Sequence, residues 1–320
     1  MTAKIIGLGT YVPEQIVTNK DLMKFLDTDD AWIQERTGIR ERRISPKEGT
    51  VDMAVEAARK AVADAGINPE ELDIIILATS TGDKGFPSAA CEVQAAIGAS
   101  NAVAFDITAA CSGFIYGLHI IQGFFKSGMY KNGLIIGAET ISRVVDWRDR
   151  GSCILFGDGA GAAVVQASET GVIDTLVGSD GTKANVLSCV ARTHENCLTG
   201  GRPVLGFMQM DGQEVFKFAV KKVPAIVNEL LEKTGTDRED VDHYVLHQAN
   251  VRILEGAAKR LKIPMDKVPV NIDRYGNTSA ASIPLLLDEM RNDGRLKKGD
   301  KVMMAGFGAG LTWGAALLEW

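Results

Sequence analysis

One αβ unit is written twice in this chain. Residues 51–65 carry apolar side chains at helical spacing, Gly66 stops them, and EELD leads into the apolar run Ile74–Ala78. Residues 220–234 repeat the pattern, followed by Gly235, EDVD and the apolar stretch 243–247, so that Gly66 matches Gly235 and Asp73 matches Asp242 at one constant offset. The correspondence runs on. Helices are predicted at 88–97 and 250–261, strands at 103–107 and 268–272, helices at 111–126 and 278–291, and strands at 134–138 and 301–305. Each half then closes on a strand or hairpin, 153–156 turning at GDGAGA into 162–167, and 311–320. Alternating strands and helices imply mostly parallel sheets covered by helices, hence an α/β fold built from two similar halves. With 320 residues the chain exceeds the usual single-core size, and the predicted division is 1–170 and 171–320.

In open α/β sheets the ligand crevice lies outside the carboxyl ends of the strands. The ends to inspect are Ala78 and His247, the turns carrying Cys111 and Asn277, and the loops at Glu139 and Gly306–Gly310. Cys111 follows the strand at 102–107 and a small-residue turn, immediately before an apolar helix. The thiolate is the attacking species, and a helix N-terminus lowers a cysteine pKa, so a nucleophile is one reading. The other is a buried thiol that fills space. His247 opens HQAN between a strand and a helix, and Asn277 lies in GNTSAAS, where it offers two N–H donors at any pH. The glycines of GFGAGLTWG at 306–314 suit backbone N–H groups that form an oxyanion hole. Thiol, imidazole and carboxamide together would attack a carbonyl and then stabilise an enolate, which is carbon–carbon bond formation between thioesters.

The remaining histidines carry less. His243 sits in a strand and makes no helical metal pair with His247; His119 is expected to be packed in the core; His194 between Cys189 and Cys197 lacks a fourth zinc ligand, so no metal is expected. Five cysteines without CxxC argue against a disulfide framework and for a reducing cytoplasm. A net charge of -6 disfavours a nucleic-acid binder. Two basic clusters stand out nonetheless: Arg36, Arg40, Arg42 and Arg43, and the helix face of Arg252, Lys259, Arg260 and Lys262, which read as solvated surface or as a landing site for something anionic. No apolar run reaches the roughly 20 residues of a membrane helix, and no secretory signal is visible, so no membrane association is expected. GDGAGA resembles a dinucleotide fingerprint, but the β-like AAVVQA that follows stands where a helix is needed.

Taken together, DITAACSGF, DRGSCILFGDGAGA, HQANVRI, RYGNTSAAS and GFGAGLTWG resemble the β-ketoacyl-acyl-carrier-protein synthase III family over essentially the whole chain. The resemblance implies the thiolase fold, two duplicated halves in five αβαβα layers, and a homodimer that initiates type II fatty-acid synthesis. Cys111 would take the acyl group of an acyl-CoA primer; malonyl-acyl-carrier protein would then lose CO2 and its carbanion attack the acyl-enzyme. His247 and Asn277 would donate hydrogen bonds to the malonyl thioester oxygen, and the N–H groups of Cys111 and Ala309 would hold the oxyanion. Many relatives have glycine at the position of Ala309. Trp32, Arg36 and Arg150 would hold the adenine nucleotide of CoA, with Thr28, Gly212, Phe216, Ala249 and Asn250 along the pantetheine arm. Arg252 would meet the carrier protein, and Phe86 would reach across the dimer to close the acyl pocket. CoA thioester is a substrate here, and no cofactor is implied. Elongating condensing enzymes use a second histidine where this chain has Asn277. Plant-type polyketide synthases and hydroxymethylglutaryl-CoA synthase share the fold but match HQANVRI and GNTSAAS less well. A relative serving secondary metabolism is the nearest alternative, and a non-catalytic scaffold would not keep all three site residues.

Overall fold

The computed structural model describes residues 1–190, 198–201, 204 and 206–320. Five strands form one sheet in the spatial order Thr2–Tyr11, Gly159–Ser168, Asn132–Glu139, Ile74–Ala78 and Val103–Ile107. Four form another, in the order His243–Leu246, Lys301–Gly308, Thr312–Glu319 and Val172–Ser179. Three successive pairings match between the sheets. Ile74–Ala78 runs parallel to Asn132–Glu139, as His243–Leu246 does to Lys301–Gly308, and two antiparallel pairings follow in each sheet.

The repeated landmarks do the same local work in both copies. Gly66 and Gly235 end their helices with left-handed φ values of 67° and 63°, which glycine adopts without a Cβ clash. Asp73 accepts backbone N–H bonds from Lys131 and Asn132, while Asp242 accepts one from Lys301 at 2.8 Å. Each aspartate thereby ties the loop before one strand to the start of its parallel neighbour.

Three apolar clusters define the layers. Thr50–Ala65 and Ala89–Ile97 cover the outer face of the five-stranded sheet, and Gly212–Thr234 and Val251–Leu261 cover the outer face of the four-stranded one. Between the sheets lie Gly113–Lys126 and Ser282–Asn292, packed through Phe114, Leu118, Ile283 and Leu286. The order is helix, sheet, helix, sheet, helix, so the five-layered αβαβα arrangement of the thiolase fold is present.

Several local expectations are corrected. No strand forms over 268–272, and the second sheet lacks the edge strand that Val103–Ile107 supplies to the first. Pro269 has no N–H to give a ladder, and the Gln248 side chain takes that edge instead, donating to Pro269 O at 3.3 Å and accepting from Asn271 N at 3.1 Å. Residues 153–156 make no hairpin arm: Asp149 caps a helical turn at Arg150–Cys153, and Phe156 makes one bridge to Asn277. The second repeat's first helix starts at Gly212, because Asp211 accepts from the N–H groups of Gln213 and Glu214. His119 is an exposed residue of Gly113–Lys126, with Nδ1 2.7 Å from Thr175 Oγ1. Arg42 leaves the basic cluster altogether. It is fully buried and donates to Val17 O, Asn19 Oδ1 and Ile154 O, while Arg36 and Arg40 stay exposed. After GDGAGA the chain continues as the strand Gly159–Ser168, with no helix for a dinucleotide.

Candidate active site

The two helices of the central layer are each entered through a tight turn, and both turns contain a non-glycine residue with positive φ. Ala110 (φ 45°) precedes Cys111, and Ser279 (φ 52°) follows Asn277. Ala110 and Ser279 stand at the same offset that relates Gly66 to Gly235, so the two reactive turns are pseudo-symmetric partners. Each packs against the end of a central strand of the opposite half. Gly308 ends Lys301–Gly308 beside the Cys111 turn; a Cβ there would lie 2.6 Å from Cys111 N. Gly306 sits between the Cys111 carbonyl and His247, its hypothetical Cβ 3.6 Å from Cys111 O and 3.3 Å from His247 Cβ. His247, Cys111 and Asn277 therefore line one cleft of about 240 Å³, together with Phe307, whose ring meets the imidazole edge-on at 5.6 Å.

Their electrostatics follow from burial. Cys111 occupies the single turn Ala110–Ser112, and the long helix begins only at Gly113. Removal from water pushes the thiol up to about 12, with Ser279 pulling the other way. Burial therefore acts against any lowering by the helix N-terminus. Burial pushes the His247 imidazole down to about 3, so it is neutral at physiological pH. Its Nδ1 lies 2.6 Å from Ser282 Oγ, which also accepts from Gln248 N at 3.4 Å. Among the described residues Nδ1 is the only acceptor recorded for the Ser282 hydroxyl proton, so that hydroxyl donates and the imidazole proton resides on Nε2. Nε2 is buried with no protein partner. A neutral N–H donor facing a reactant suits hydrogen bonding and not proton abstraction. The Asn277 side chain is oriented as well. Its Oδ1 accepts from Ser279 N at 2.9 Å, which leaves the NH2 end for the cleft.

Trp32, on the cleft lining, has two guanidinium groups over its ring, Arg150 at 4.9 Å and Arg36 at 5.6 Å from the centroid. Arg150 also donates to Asp27 O at 2.6 Å, which fixes the loop that carries Thr28. Gly212, Phe216, Ala249 and Asn250 line the cleft with Trp32 and Arg36. The Asn250 amide has structural duties too, donating to Arg36 O and accepting from Arg252 N. Arg252 is exposed, 5.9 Å above the Phe216 ring. Thr28, Ala309 and Phe86 are not among the lining residues. Ala309 follows Gly308 in the turn beyond the strand, and Phe86 is 89% exposed on the single chain. His243 pairs with Asp300 at 3.3 Å. His194 and Cys197 lie outside the described residues, among which no three metal-binding side chains gather. Among the same residues no helix is long and apolar enough to cross a membrane.

Sequence reasoning placed Glu139 and the loop of Phe307 at strand ends facing the crevice but gave neither side chain a role, and it missed Ser282 and Ser279, which act through space. The Gly308 packing is directly testable. Gly308→Ala places a methyl against the Cys111 N–H, and the expected loss is about 100-fold in acylation, the usual worth of one oxyanion donor. Mass-spectrometric timing of adduct formation would show it; acylation at the parent rate would mean that the N–H is not used.

The comparisons with known proteins agree with this geometry. The family model "3-Oxoacyl-[acyl-carrier-protein (ACP)] synthase III" matches residues 105–181, and its C-terminal counterpart matches 231–320. Beta-ketoacyl-[acyl-carrier-protein] synthase III of Clostridium acetobutylicum is 50% identical over 321 residues, covering 100% of this chain and 99% of the relative. The crystal structure of 3-oxoacyl-[acyl-carrier-protein] synthase III from Aquifex aeolicus superposes with a TM-score of 0.93 at 50% identity, covering 99% of this chain and 100% of that one. A priming beta-ketosynthase from the R1128 polyketide pathway superposes with a TM-score of 0.92 at 37% identity, covering 99% and 96%. The chain belongs to the 3-oxoacyl-[acyl-carrier-protein] synthase III family and is a condensing acyltransferase of fatty-acid biosynthesis.

Proposed function

We propose that the chain catalyses the decarboxylative Claisen condensation of an acyl-CoA primer with malonyl-acyl-carrier protein, in two half-reactions that share Cys111. In the first, sulfur attacks the acyl carbonyl and the thiol proton ends on the departing CoA sulfur. The N–H groups of Cys111 and Ala309 hold the oxyanion. In the second, the malonyl C–C bond breaks, CO2 leaves, and the electron pair is held as an enolate by the N–H donors of His247 and Asn277. The carbanion carbon then attacks the acyl carbon, and the Cys111 thiolate departs and takes a proton from solvent. The products are CoA, CO2 and 3-oxoacyl-carrier protein.

The observation that carries this reading is the single cleft that holds thiol, imidazole and carboxamide and is lined by Trp32 with two cations over its ring. Trp32 would stack on the adenine while Arg36 and Arg150 meet phosphates. Thr28, Gly212, Phe216, Ala249 and Asn250 would follow the pantetheine arm. No bound cofactor enters this chemistry, since CoA arrives and leaves as substrate and product. Phe86, exposed on one chain, would complete the acyl pocket of a second in a homodimer, and the substrates place the enzyme in the cytoplasm. The test is production of CO2 and 3-oxoacyl-carrier protein from malonyl-carrier protein over a panel of acyl-CoA primers. Absence of CO2 with every primer would overturn the reading. Product with a carrier protein of polyketide synthesis alone would move it toward the R1128 relative.

Arg252 would steer the acidic carrier protein to the cleft. Arg252→Glu is expected to raise KM for the carrier substrate about 10-fold, with KM for acyl-CoA within about two-fold. An unchanged carrier KM would take Arg252 out of the docking surface.

A further inference from the structure

Glu139 is a fully buried carboxyl group that the reaction outlined above does not use; burial pushes it up to about 7 against the pull of its hydroxyl and N–H donors, so it is partly ionised near neutral pH and ionised above it. It ends the strand Asn132–Glu139 of the five-stranded sheet and occupies the pseudo-symmetric counterpart of Gly308. Where Gly308 leaves room for the Cys111 turn, Glu139 reaches toward the other turn. Ser279 Oγ donates to Glu139 Oε1 at 3.1 Å. The opposite oxygen accepts from Thr81 Oγ1 at 2.5 Å and Thr79 Oγ1 at 3.3 Å, and Ser80 N lies 3.1 Å from both. The strand beneath is shaped for this contact: a Cβ on Gly137 would lie 2.2 Å from Ala280 O, so only glycine lets the turn dock so closely.

Ser279 is the residue that needs holding. Its φ of 52° is strained for a non-glycine residue, yet this conformation directs its N–H to Asn277 Oδ1. A turn released to negative φ would lose that hydrogen bond, and the carboxamide would be free to rotate its NH2 out of the cleft. A hydrogen bond from a hydroxyl to a carboxylate is roughly twice as strong as a neutral one. It comes here from the opposite half of the molecule, so it fixes the turn against the sheet and not merely against itself.

We propose that Glu139 is a positioning residue for the decarboxylation half-reaction, holding Ser279 in its left-handed conformation and thereby aiming the Asn277 carboxamide at the malonyl thioester. The proposal rests on the reading of Asn277 given above. A second consequence separates it from a purely structural role. Ser279 also faces the Cys111 thiol, and Glu139 in its ionised form opposes formation of the thiolate. Loss of that charge should leave acylation intact or quicken it while decarboxylation falls.

Glu139→Gln keeps the side-chain length and removes the charge. Decarboxylation of malonyl-carrier protein by the acylated enzyme is expected to fall about 10-fold or more, with Cys111 acylation by acyl-CoA at or above the parent rate. In an Asn277→Ala background the same change should alter decarboxylation by less than about two-fold, because Glu139 acts through the missing amide. Should Glu139→Gln not fold, Ser279→Ala, which leaves the carboxylate in place, should show the same non-additivity with Asn277→Ala in decarboxylation. Equal losses in both backgrounds, parallel losses in both half-reactions, or no loss would overturn the proposal. The arms also separate it from its foundation. If Asn277→Ala alone decarboxylates normally, the reading of Asn277 has failed; if it is slow while Glu139→Gln is not, only the role of Glu139 has.

Discussion

Cys111→Ser should form no detectable acyl-enzyme, with transfer from acyl-CoA lowered about 1000-fold or more. The site explains why the loss should be so large. Burial pushes the thiol up, so in the proposed mechanism attack depends on sulfur's intrinsic nucleophilicity and on the N–H groups proposed to hold the oxyanion. A serine hydroxyl is less acidic than a thiol, and the same desolvation acts on its alkoxide. His247 cannot compensate as a base. Its proton resides on Nε2, and its basic nitrogen Nδ1 is occupied by Ser282. The fold should be unaffected, since the two side chains differ by one atom in a turn fixed by Gly308 and Ser112. Measured acylation in the serine variant near the parent rate would mean that the nucleophile is elsewhere.

Asn277→Asp should be almost as damaging, but to the other half-reaction. The change replaces the NH2 that faces the cleft with an oxygen that repels the developing enolate, while Oδ1 can still accept from Ser279 N. Loss of one donor to an anionic intermediate costs about 100-fold to 1000-fold, and the added charge works in the same direction. CO2 release from malonyl-carrier protein should therefore fall by about 1000-fold, while formation of the acyl-Cys111 adduct falls by less than about 10-fold. The comparison of the two rates matters more than either alone. Equal loss in both would show that the amide serves the site as a whole and not the malonyl thioester.

Much of this was legible in the sequence because the duplication repeats short-range devices. Gly66 and Gly235 end helices, Asp73 and Asp242 tie loop to strand, and each job is done within a few residues of the marker or at the next parallel strand. The placing of Cys111 and His247 in one cleft was legible for a related reason, since both follow strand ends, where α/β topology puts crevices; Asn277 follows the short helix Ile272–Tyr275 instead, and reaches the same cleft through the turn at Gly276. The misreadings are through-space effects. Residues 268–272 have the composition of a strand, but the Gln248 side chain, twenty residues earlier, occupies the edge. Arg42 reads as one of four surface cations until Asn19 and two carbonyl groups enclose it. Glu139 was legible as a strand end at the crevice, but only the packing of one half on the other shows it buried against Ser279. The sequence left the thiol's acidity open between a helix N-terminus and a buried site, because helix position can be read locally, whereas desolvation, which pushes the thiol up, depends on the whole surround.

In the proposed mechanism Cys111 carries the acyl group between the two substrates inside the cleft it shares with His247 and Asn277. Incubation of the chain with acyl-CoA in the absence of carrier protein, followed by intact-mass and peptide mapping, tests it most directly. The expected result is one acyl group per chain on the peptide containing Cys111, discharged on addition of malonyl-carrier protein with release of CO2. An adduct on another residue, or product formed with no adduct and with Cys111 unmodified throughout, would contradict it.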